Sequence, residues 1–469
     1  MARLNDQRLV TVSIMLATVM QVLDTTIANV ALPHMQGSLS ASTDQITWVL
    51  TSYIVAAAIM TPTVGFMASR LGRRRLFLWS VAGFTVTSGL CGLSASLDQM
   101  VLFRILQGVF GAALVPLSQS VLLDAYPVEK HGQAMAIWGM GVMVGPILGP
   151  TLGGWLTEWY SWRWVFYINL PFGLLAFAGI WLSVSETETR KVRFDIMGFA
   201  YLGLAIGAFQ LMLDRGEQVQ WFESFEIQLE AVLALLGLYL FVVHSLTRKD
   251  PFIDPALFKD RNFVTGLVFI FVVGIILLAT MALLPPFLQQ WKDYPAVTTG
   301  LVLAPRGLGS MFSMMLVGRL MRTRLDPRVL VITGLLFITF SLHEMAGFTL
   351  EVSRNTLIWT GVLQGLGLGL VFVPASALTY ATLNPSLRTE GASLFSLSRN
   401  LGSSVGISIM TAMLSRNLWI NQQQLGEHLQ LAPWLSQGLP MKEMVGSVPA
   451  AVYQTLLSQA AEISYMNDF

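Results

Sequence analysis

Thirteen runs of predominantly apolar residues follow one another along this 469-residue chain, and each has about the 20 residues that a membrane-spanning helix needs. The runs lie at roughly 9–33, 45–68, 75–95, 99–123, 132–157, 163–184, 195–214, 227–247, 262–287, 297–321, 328–348, 356–381 and 389–415. Only 12% of the residues are charged, whereas soluble domains have about 25%. Because a lipid-exposed backbone must satisfy its own hydrogen bonds, the sequence predicts an all-α polytopic membrane protein.

The basic residues predict how these helices are oriented. If the N-terminus is cytoplasmic, the inside loops contain most of the arginines and lysines, with four arginines within residues 70–75 alone. The outside loops then contain only Arg163, Arg215, Lys292, Arg354, Arg416 and Lys442. Cytoplasmic loops are enriched in lysine and arginine, so we expect the N-terminus in the cytoplasm.

Several classes of function are disfavoured by what the sequence lacks. Cys91 is the only cysteine, which rules out disulfides, and the five histidines are too far apart in the chain to suggest a metal site. No Walker loop is present, and no Ser/His or paired-Asp constellation lies within the apolar runs. We therefore expect no enzyme activity, no cofactor, no bound metal and no nucleic-acid partner, and an ion gradient rather than ATP as the energy source.

The chain also repeats itself at an offset of about 250 residues. Residues 104–108 are echoed by 361–365, the loop 65–75 by 318–328, and the segment 31–33 by 283–285. Such parallel repeats are typical of secondary transporters with a substrate site between the halves. The repeat predicts a six-helix bundle at 1–184, two inserted helices with their flanking loops at 185–261, and a second bundle at 262–469.

The second bundle has only five apolar runs, followed by a polar segment at 416–446 that we expect on the periplasmic side. An amphipathic stretch follows from Val448 to about Ile463. The repeat therefore predicts that a final helix is missing from the sequence and follows Phe469 in the native protein.

Asp24 lies inside the first apolar run, where a carboxylate costs on the order of 3 kcal/mol or more unless it is protonated, paired or hydrated. It is the only deep acid of the first six helices, and Arg104 in the fourth helix is its natural electrostatic partner. Arg104 has an alternative interpretation, in which it only binds backbone carbonyls. The second half has neither residue: Gly361 stands in the place of Arg104, and the position matching Asp24 falls near Ile276.

Two stretches have the composition of conformational motifs. The loop 65–75 contains Gly65, Arg70, Gly72 and Arg73; it is either a positive anchor at the membrane surface or a latch in which Arg73 binds helix ends or an acid of the other half. The fifth helix contains two prolines and glycines spaced four apart, which permit close backbone approach and a kink at the interface between the halves. These residues are Gly141, Gly145, Pro146, Gly149, Pro150, Gly153 and Gly154.

A further set of polar residues within the spans is predicted to line a substrate cavity. It comprises Asn29, Gln107, Gln119, Gln210, Gln364, Arg306 and Arg399. The two arginines have alternative roles, because a buried arginine is either a structural tie to carbonyl groups or a binding group for anionic substrates.

With these motifs, the chain resembles the major facilitator superfamily, and within it the fourteen-span drug:proton antiporters of the EmrB/QacA group. The similarity rests on the stretch 23–33, the loop 65–75, the motif 104–108 and the fifth helix, with 162–171 and 211–216 in addition. The segments 210–221 and 258–263 are most similar to the EmrB branch.

The resemblance implies proton-coupled efflux of hydrophobic toxic compounds, with Asp24 as the proton-carrying acid and Arg104 as its regulator. It also implies a tripartite pump with a periplasmic adaptor of the EmrA type and an outer-membrane channel of the TolC type. Ser69 stands where the family usually has an acid, which places the latch of the loop 65–75 in doubt. Two alternatives remain: a dedicated exporter of one metabolite, fatty acid or siderophore, and a transport-dead membrane sensor or scaffold.

Overall fold

The computed structural model describes residues 7–189, 193–248, 250–321, 325–430 and 450–468, and within these ranges it contains helices and no β-strand. The helices are α1 (Gln7–Ser38), α2 (Thr43–Ile46), α3 (Trp48–Met60), α4 (Thr63–Leu71), α5 (Arg73–Leu93), α6 (Leu97–Gly111), α7 (Leu114–Ala125), α8 (His131–Trp159), α9 (Trp164–Tyr167), α10 (Asn169–Ser183), α11 (Ile196–Arg215), α12 (Phe225–Thr247), α13 (Arg261–Pro286), α14 (Ala296–Leu320), α15 (Pro327–Met345), α16 (Arg354–Ala381), α17 (Arg388–Gln430) and α18 (Ala450–Asp468). The prediction of an all-α polytopic fold is confirmed.

Ten helical segments in the described ranges are long and apolar enough to cross a membrane, or up to eleven if the bent pair of α3 and α4 is one span. That pair meets at an angle of 60°. The ninth and thirteenth apolar runs of the sequence coincide with α13 and α17, which are not among those segments. Within α13, the apolar segment Arg261–Ile276 is shorter than those ten segments.

Three boundaries differ from the sequence prediction. The second run is broken at Thr61 and Pro62, because proline cannot donate to the helical ladder. The fourth run is interrupted between α6 and α7, and the thirteenth continues as a helix to Gln430, well beyond the predicted end at 415. The predicted polar segment therefore begins as helix, and its residues 431–446 lie outside the described part.

The closest packing between the two predicted halves is along α8, which lies against α14 and also contacts α16. A second zone of contact brings α17 against α4 and α7. The predicted inserted pair lies at the side: α11 packs on α3, and α12 packs on α11 with most of its surface exposed. At one end of this pair, the buried carboxylate of Asp195 binds His244 of α12 at 3.0 Å. It also binds Arg248, which directly follows α12, at 3.1 Å.

A buried charge cluster as candidate functional site

The carboxylate of Asp24 is the centre of a polar cluster that three helices build. Asp24 lies in α1 and is 1% exposed. Its Oδ2 accepts from Nη1 of Arg104 at 2.7 Å, and its Oδ1 accepts from the amides of Gln107 at 3.0 Å and Asn169 at 2.6 Å. Arg104 and Gln107 are one turn apart on α6, so they face α1 together, and Asn169 opens α10. A buried charge is stable only when it is paired and hydrogen-bonded in this way.

Arg104 is fully buried and is held from several directions. Its Nε donates to the carbonyl of Val49 in α3 at 2.9 Å, and Nη1 also donates to Gln107 at 2.7 Å. The guanidinium carbon lies 4.3 Å from the ring centroid of Tyr53 and 5.7 Å from that of Phe166. The interpretation in which Arg104 binds only carbonyls is wrong, since it binds a carbonyl and the carboxylate. Its Nη2 is buried and has no partner among the residues that the structure describes.

Asn169 is the member of the cluster that sequence reasoning missed. Its Nδ2 donates both to Asp24 and to Oγ of Ser88, which in turn donates to the carbonyl of Phe166 at 2.9 Å. Its signal in the sequence is an amide within the motif 162–171, the motif that also contributes to the family resemblance. Asn169 is fully buried, and this location requires a polar partner.

The cluster couples the charge of Asp24 to helix packing. The ionised carboxylate accepts from donors on α6 and α10 and so ties both helices to α1. A proton on either oxygen replaces an acceptor site by a donor, so at least one of these contacts must change. The contacts that tie α6 and α10 to α1 therefore depend on whether Asp24 is ionised.

The glycines of α8 pack against α1 on either side of Asp24. A Cβ added at Gly145 would lie 2.8 Å from the backbone of Val22, and one at Gly153 would lie 3.3 Å from the carbonyl of Ile27. Thr26 donates to the carbonyl of Gly145 at 3.1 Å, and Gly149 faces the same threonine. Gly141 faces Met15 in the same row, whereas Gly154 has nothing within 4 Å.

The helix α8 does lie at the interface between the halves, against α14, but the partner of this glycine row is α1 of the same half. The contact with α14 uses other small residues of α8: Gly132 faces Met321, and Gly139 faces Met314. Both predicted kink-forming prolines lie inside α8. Pro150 approaches Gly300 of α14, and Pro146 immediately follows Gly145.

The loop 65–75 makes contacts to both halves. Arg73 forms an ion pair with Asp124 at the end of α7, and Asp124 also accepts from Nη1 of Arg388 in α17 at 2.8 Å. The acid that Arg73 binds thus belongs to its own half, and Asp124 carries the link to the other. A Cβ at Gly65 would meet the backbone of Glu390 at 2.8 Å.

The other residues of this loop have separate roles. Gly72 has a φ of +87°, a conformation that only glycine adopts without strain, and it permits the turn between α4 and α5. Arg70 is exposed, and Ser69 donates to the carbonyl of Gly65 at 3.0 Å. The loop is a contact point between the halves even though Ser69 replaces the usual acid.

The remaining predicted cavity residues do not come together in one site. Gln119 in α7 accepts from the hydroxyl of Tyr380 in α16 at 3.2 Å, and both side chains are fully buried. Gln210 in α11 donates to Ser404 in α17 at 2.8 Å. Asn29 is exposed and has only a 3.4 Å contact with the carbonyl of Thr25.

The second half contains its own polar cluster. Arg306 in α14 donates to Oγ1 of Thr280 in α13 at 3.1 Å, and Gln364 in α16 donates to the same oxygen at 3.3 Å. Arg399 in α17 lies elsewhere, with its guanidinium carbon 5.8 Å from the ring centroid of Trp138 in α8. Arg306 and Arg399, which the sequence predicts to line the same cavity, thus lie in different surroundings.

Comparisons with known proteins agree with this architecture. The profile of the Major Facilitator Superfamily matches residues 14–407. The fatty acid resistance protein FarB of Neisseria gonorrhoeae is 39% identical over 90% of this chain and 83% of its own length. The multidrug export protein EmrB of Escherichia coli strain K12 is 38% identical over 90% of this chain and 82% of its own.

The fold has a counterpart among solved structures. The proton:xylose symporter XylE superposes with a TM-score of 0.62 over 98% of this chain and 94% of that one. At 12% sequence identity this similarity concerns the fold alone.

Proposed function

This chain belongs to the major facilitator superfamily, and from that premise we propose that it exports hydrophobic toxic compounds in exchange for protons. It is a multi-pass membrane protein of a transporter family rather than an enzyme. In the proposal it lies in a bacterial inner membrane with its N-terminus in the cytoplasm, and the proton gradient is its energy source. The name of EmrB, a multidrug export protein, supports the substrate class.

The cluster around Asp24 carries the proposal. In the ionised state, the carboxylate is bound by Arg104, Gln107 and Asn169. When Asp24 takes up a proton from the outside, its charge is lost and the attraction to Arg104 weakens. Release of that proton to the cytoplasm restores the contacts. Coupling requires that the two conformations differ in their affinity for proton and substrate. The contacts of α1 support this part of the proposal, because they depend on the charge of Asp24.

The described conformation fits one stage of this cycle. The halves are in contact at the end of the molecule that contains the loop 65–75, through Gly65 with Glu390 and through Asp124 with Arg388. In the proposed orientation this end is cytoplasmic, so the conformation is closed to the cytoplasm. This is the state in which Asp24 would receive its proton from the other side.

The test is proton release from detergent-solubilised protein on addition of a hydrophobic probe such as ethidium. We expect Asp24→Asn to abolish this release while the variant still inserts and binds the probe, because the proton-carrying group is gone. Asp98→Asn is the matched control, since Asp98 is an exposed acid at the start of α6. Undiminished release in Asp24→Asn would contradict the assignment.

The assembly part of the proposal is a tripartite pump with an adaptor of the EmrA type and a channel of the TolC type. It rests on the resemblance to the EmrB group. Co-purification with a single-span adaptor encoded beside this gene would support it, and a protein that extracts alone after cross-linking in cells would contradict it.

Two alternatives can be separated from the main proposal. FarB is named for fatty acid resistance, so a dedicated exporter of such a compound is the second candidate, and it predicts saturable transport of one anion. A transport-dead sensor or scaffold predicts no proton-coupled flux in proteoliposomes. The charged pair of Asp24 and Arg104 argues against the scaffold, because a buried ion pair stabilises a fold weakly.

A further inference from the structure

Arg399 differs from Arg104 because its charge has no acidic partner among the residues that the structure describes. It lies in α17, and its side chain is only partly buried. Among the described residues, the hydrogen bond of its guanidinium is a 3.5 Å contact from Nη2 to the amide oxygen of the neighbouring Asn400. Among the residues that the structure describes, no carboxylate oxygen lies within 4 Å of its guanidinium.

The contrast with Arg104 is informative. Arg104 is fully buried and has a carboxylate, an amide and a carbonyl as partners. A cation within a membrane protein is costly unless it is paired or faces a wet cavity. Arg399 has no such carboxylate among the described residues, so its guanidinium retains donors that an incoming anion can use.

One side of the Arg399 guanidinium faces aromatic rings. Its guanidinium lies over Trp138, which stacks on Phe372 at 5.9 Å with an interplanar angle of 13°. Trp138 belongs to α8 and Phe372 to α16, so the two halves meet at this stack. Trp138 is fixed by a hydrogen bond of 2.9 Å from its indole to Ser118. A cation beside two aromatic rings at the seam of the halves is complementary to an amphipathic anion. Trp138 and Phe372 are 1% and 5% exposed in the described conformation, so the seam must open to admit such a ligand.

We propose that Arg399 binds the carboxylate of amphipathic substrates, whose apolar part lies along the aromatic stack of Trp138 and Phe372. The inference rests on the proposed transport function and specifies the chemistry that this part of the site selects. A carboxylate matches the planar fork of the guanidinium with two parallel hydrogen bonds, which adds selectivity over a neutral group of the same shape. Substrates without an anionic group use the apolar wall alone.

The experiment compares two ligands that differ only in charge, 11-(dansylamino)undecanoate and its methyl ester. Their binding to the full-length purified protein is measured by fluorescence anisotropy. We expect Arg399→Gln to weaken binding of the acid roughly 10- to 100-fold, as loss of a charge-assisted contact does, and to leave the ester within about twofold. Arg399→Lys should recover part of the affinity, because it keeps the charge but loses the fork.

Arg306→Gln is the matched control, because Arg306 is the second deep arginine of the same half and already donates to Thr280. It should affect the two ligands equally. The proposal is overturned if Arg399→Gln weakens the acid and the ester to the same extent, or if it changes neither.

Failure of this proposal is distinguishable from failure of the proposed function. If Arg399→Gln and the wild type release protons equally on addition of ethidium, coupling is intact whatever happens to the acid. If the wild type releases none, the transport function itself is wrong. Trp138→Phe keeps a flat ring but loses the indole donor, and we expect both ligands to bind about equally less well.

Discussion

Nη1 of Arg104 lies 2.7 Å from Oδ2 of Asp24, and the residues that complete this pair all come from the first half of the chain. These residues are Val49, Gln107 and Asn169. The second half contains a polar cluster with different chemistry. At the position that matches Arg104 it has Gly361, and the space beside that glycine is occupied by Arg306, whose Cβ is 3.5 Å from where a glycine Cβ would be.

The corresponding cluster of the second half is thus organised around the hydroxyl of Thr280, which accepts from both Arg306 and Gln364. A hydroxyl does not change its charge in the physiological pH range, whereas a carboxylate can. In the proposed cycle only the first half handles protons.

The first prediction concerns the coupling between Asp24 and Arg104. Arg104→Gln leaves a buried carboxylate without its cation, so we expect a loss of about 3–5 kcal/mol in the free energy of unfolding. Asp24→Asn combined with Arg104→Gln should cost less than Arg104→Gln alone, because no unpaired charge remains. Thermal unfolding in detergent compares Asp24→Asn, Arg104→Gln and the double variant with the wild type.

A double variant whose loss equals the sum of the single losses would contradict the direct pairing. Arg163→Gln is a suitable control, since Arg163 donates to the carbonyl of Ser94 at 3.0 Å and has no carboxylate partner among the described residues. Its effect should be additive with Asp24→Asn, because the two sites share no contact.

The helices were predictable from the sequence because the bilayer imposes one requirement on every segment. A lipid-exposed backbone has to be helical, so length and apolarity are sufficient to locate the spans. The breaks were less predictable. The apolar run 45–68 continues through Pro62 without a change in composition, and only the structure shows a 60° bend there.

The candidate site was predictable in part. Asp24 and Arg104 are identified by the cost of burying their charges, which follows from their positions inside long apolar runs. Asn169 and Asp124 were missed because an amide in a motif and an acid at a helix end are ordinary in sequence. Their roles depend on partners such as Arg388, 264 residues from Asp124. The glycine row shows the same limit: spacing identifies a face of α8 but not that the neighbour is α1.

The second prediction concerns Asp124, which binds both Arg73 and Arg388 and so ties the two halves. Asp124→Asn should weaken the closed end by about 1–2 kcal/mol, because these pairs are partly exposed and partly screened. Ser120→Cys reports this opening, since Ser120 is fully buried at the seam, 3.4 Å from Thr389. We expect the thiol to be labelled roughly 5- to 30-fold faster in the Asp124→Asn background.

The chain suits this measurement because Cys91 is its only cysteine and is buried. Glu186→Gln is the control, because the pair of Glu186 with Arg75 lies at the surface, where Arg75 is 71% exposed. Its labelling rate should match that of the parent. If Asp124→Asn also leaves the rate unchanged, the ion pairs do not hold the closed state.

The third prediction concerns the hydrogen bond from Tyr380 to Gln119, which joins α16 to α7. Tyr380→Phe removes the donor and keeps the ring contact with Phe395, whose centroid is 5.5 Å away. An amide oxygen is then left without its partner in a buried location, so the closed conformation should lose about 1–3 kcal/mol. The thiol at position 120 should again react faster.

The double variant Tyr380→Phe with Gln119→Leu removes both polar groups. Its labelling rate should return toward the parental value, because no unsatisfied group remains at the seam. A double variant that reacts as fast as Tyr380→Phe would show that the lost hydroxyl acts through something other than Gln119.

The fourth prediction separates two glycines of α8 that the sequence could not distinguish. A Cβ at Gly145 would lie 2.6 Å from Cγ1 and 2.8 Å from the backbone of Val22, so Gly145→Ala forces α1 away from α8 beside Asp24. The backbone cannot move aside as a flexible side chain can, so we expect a loss of about 1–3 kcal/mol in the free energy of unfolding. Proton release on addition of ethidium should fall as well, because α1 carries the carboxylate.

Gly154→Ala is the matched control in the same helix, where an added Cβ meets nothing within 4 Å. Alanine favours the helix over glycine by about 1 kcal/mol, so this variant should be as stable as the parent or slightly more stable, with full proton release. Thermal unfolding and proton release, measured together, distinguish close packing from helix propensity. If Gly145→Ala behaves like Gly154→Ala, the contact between α8 and α1 is not what positions Asp24.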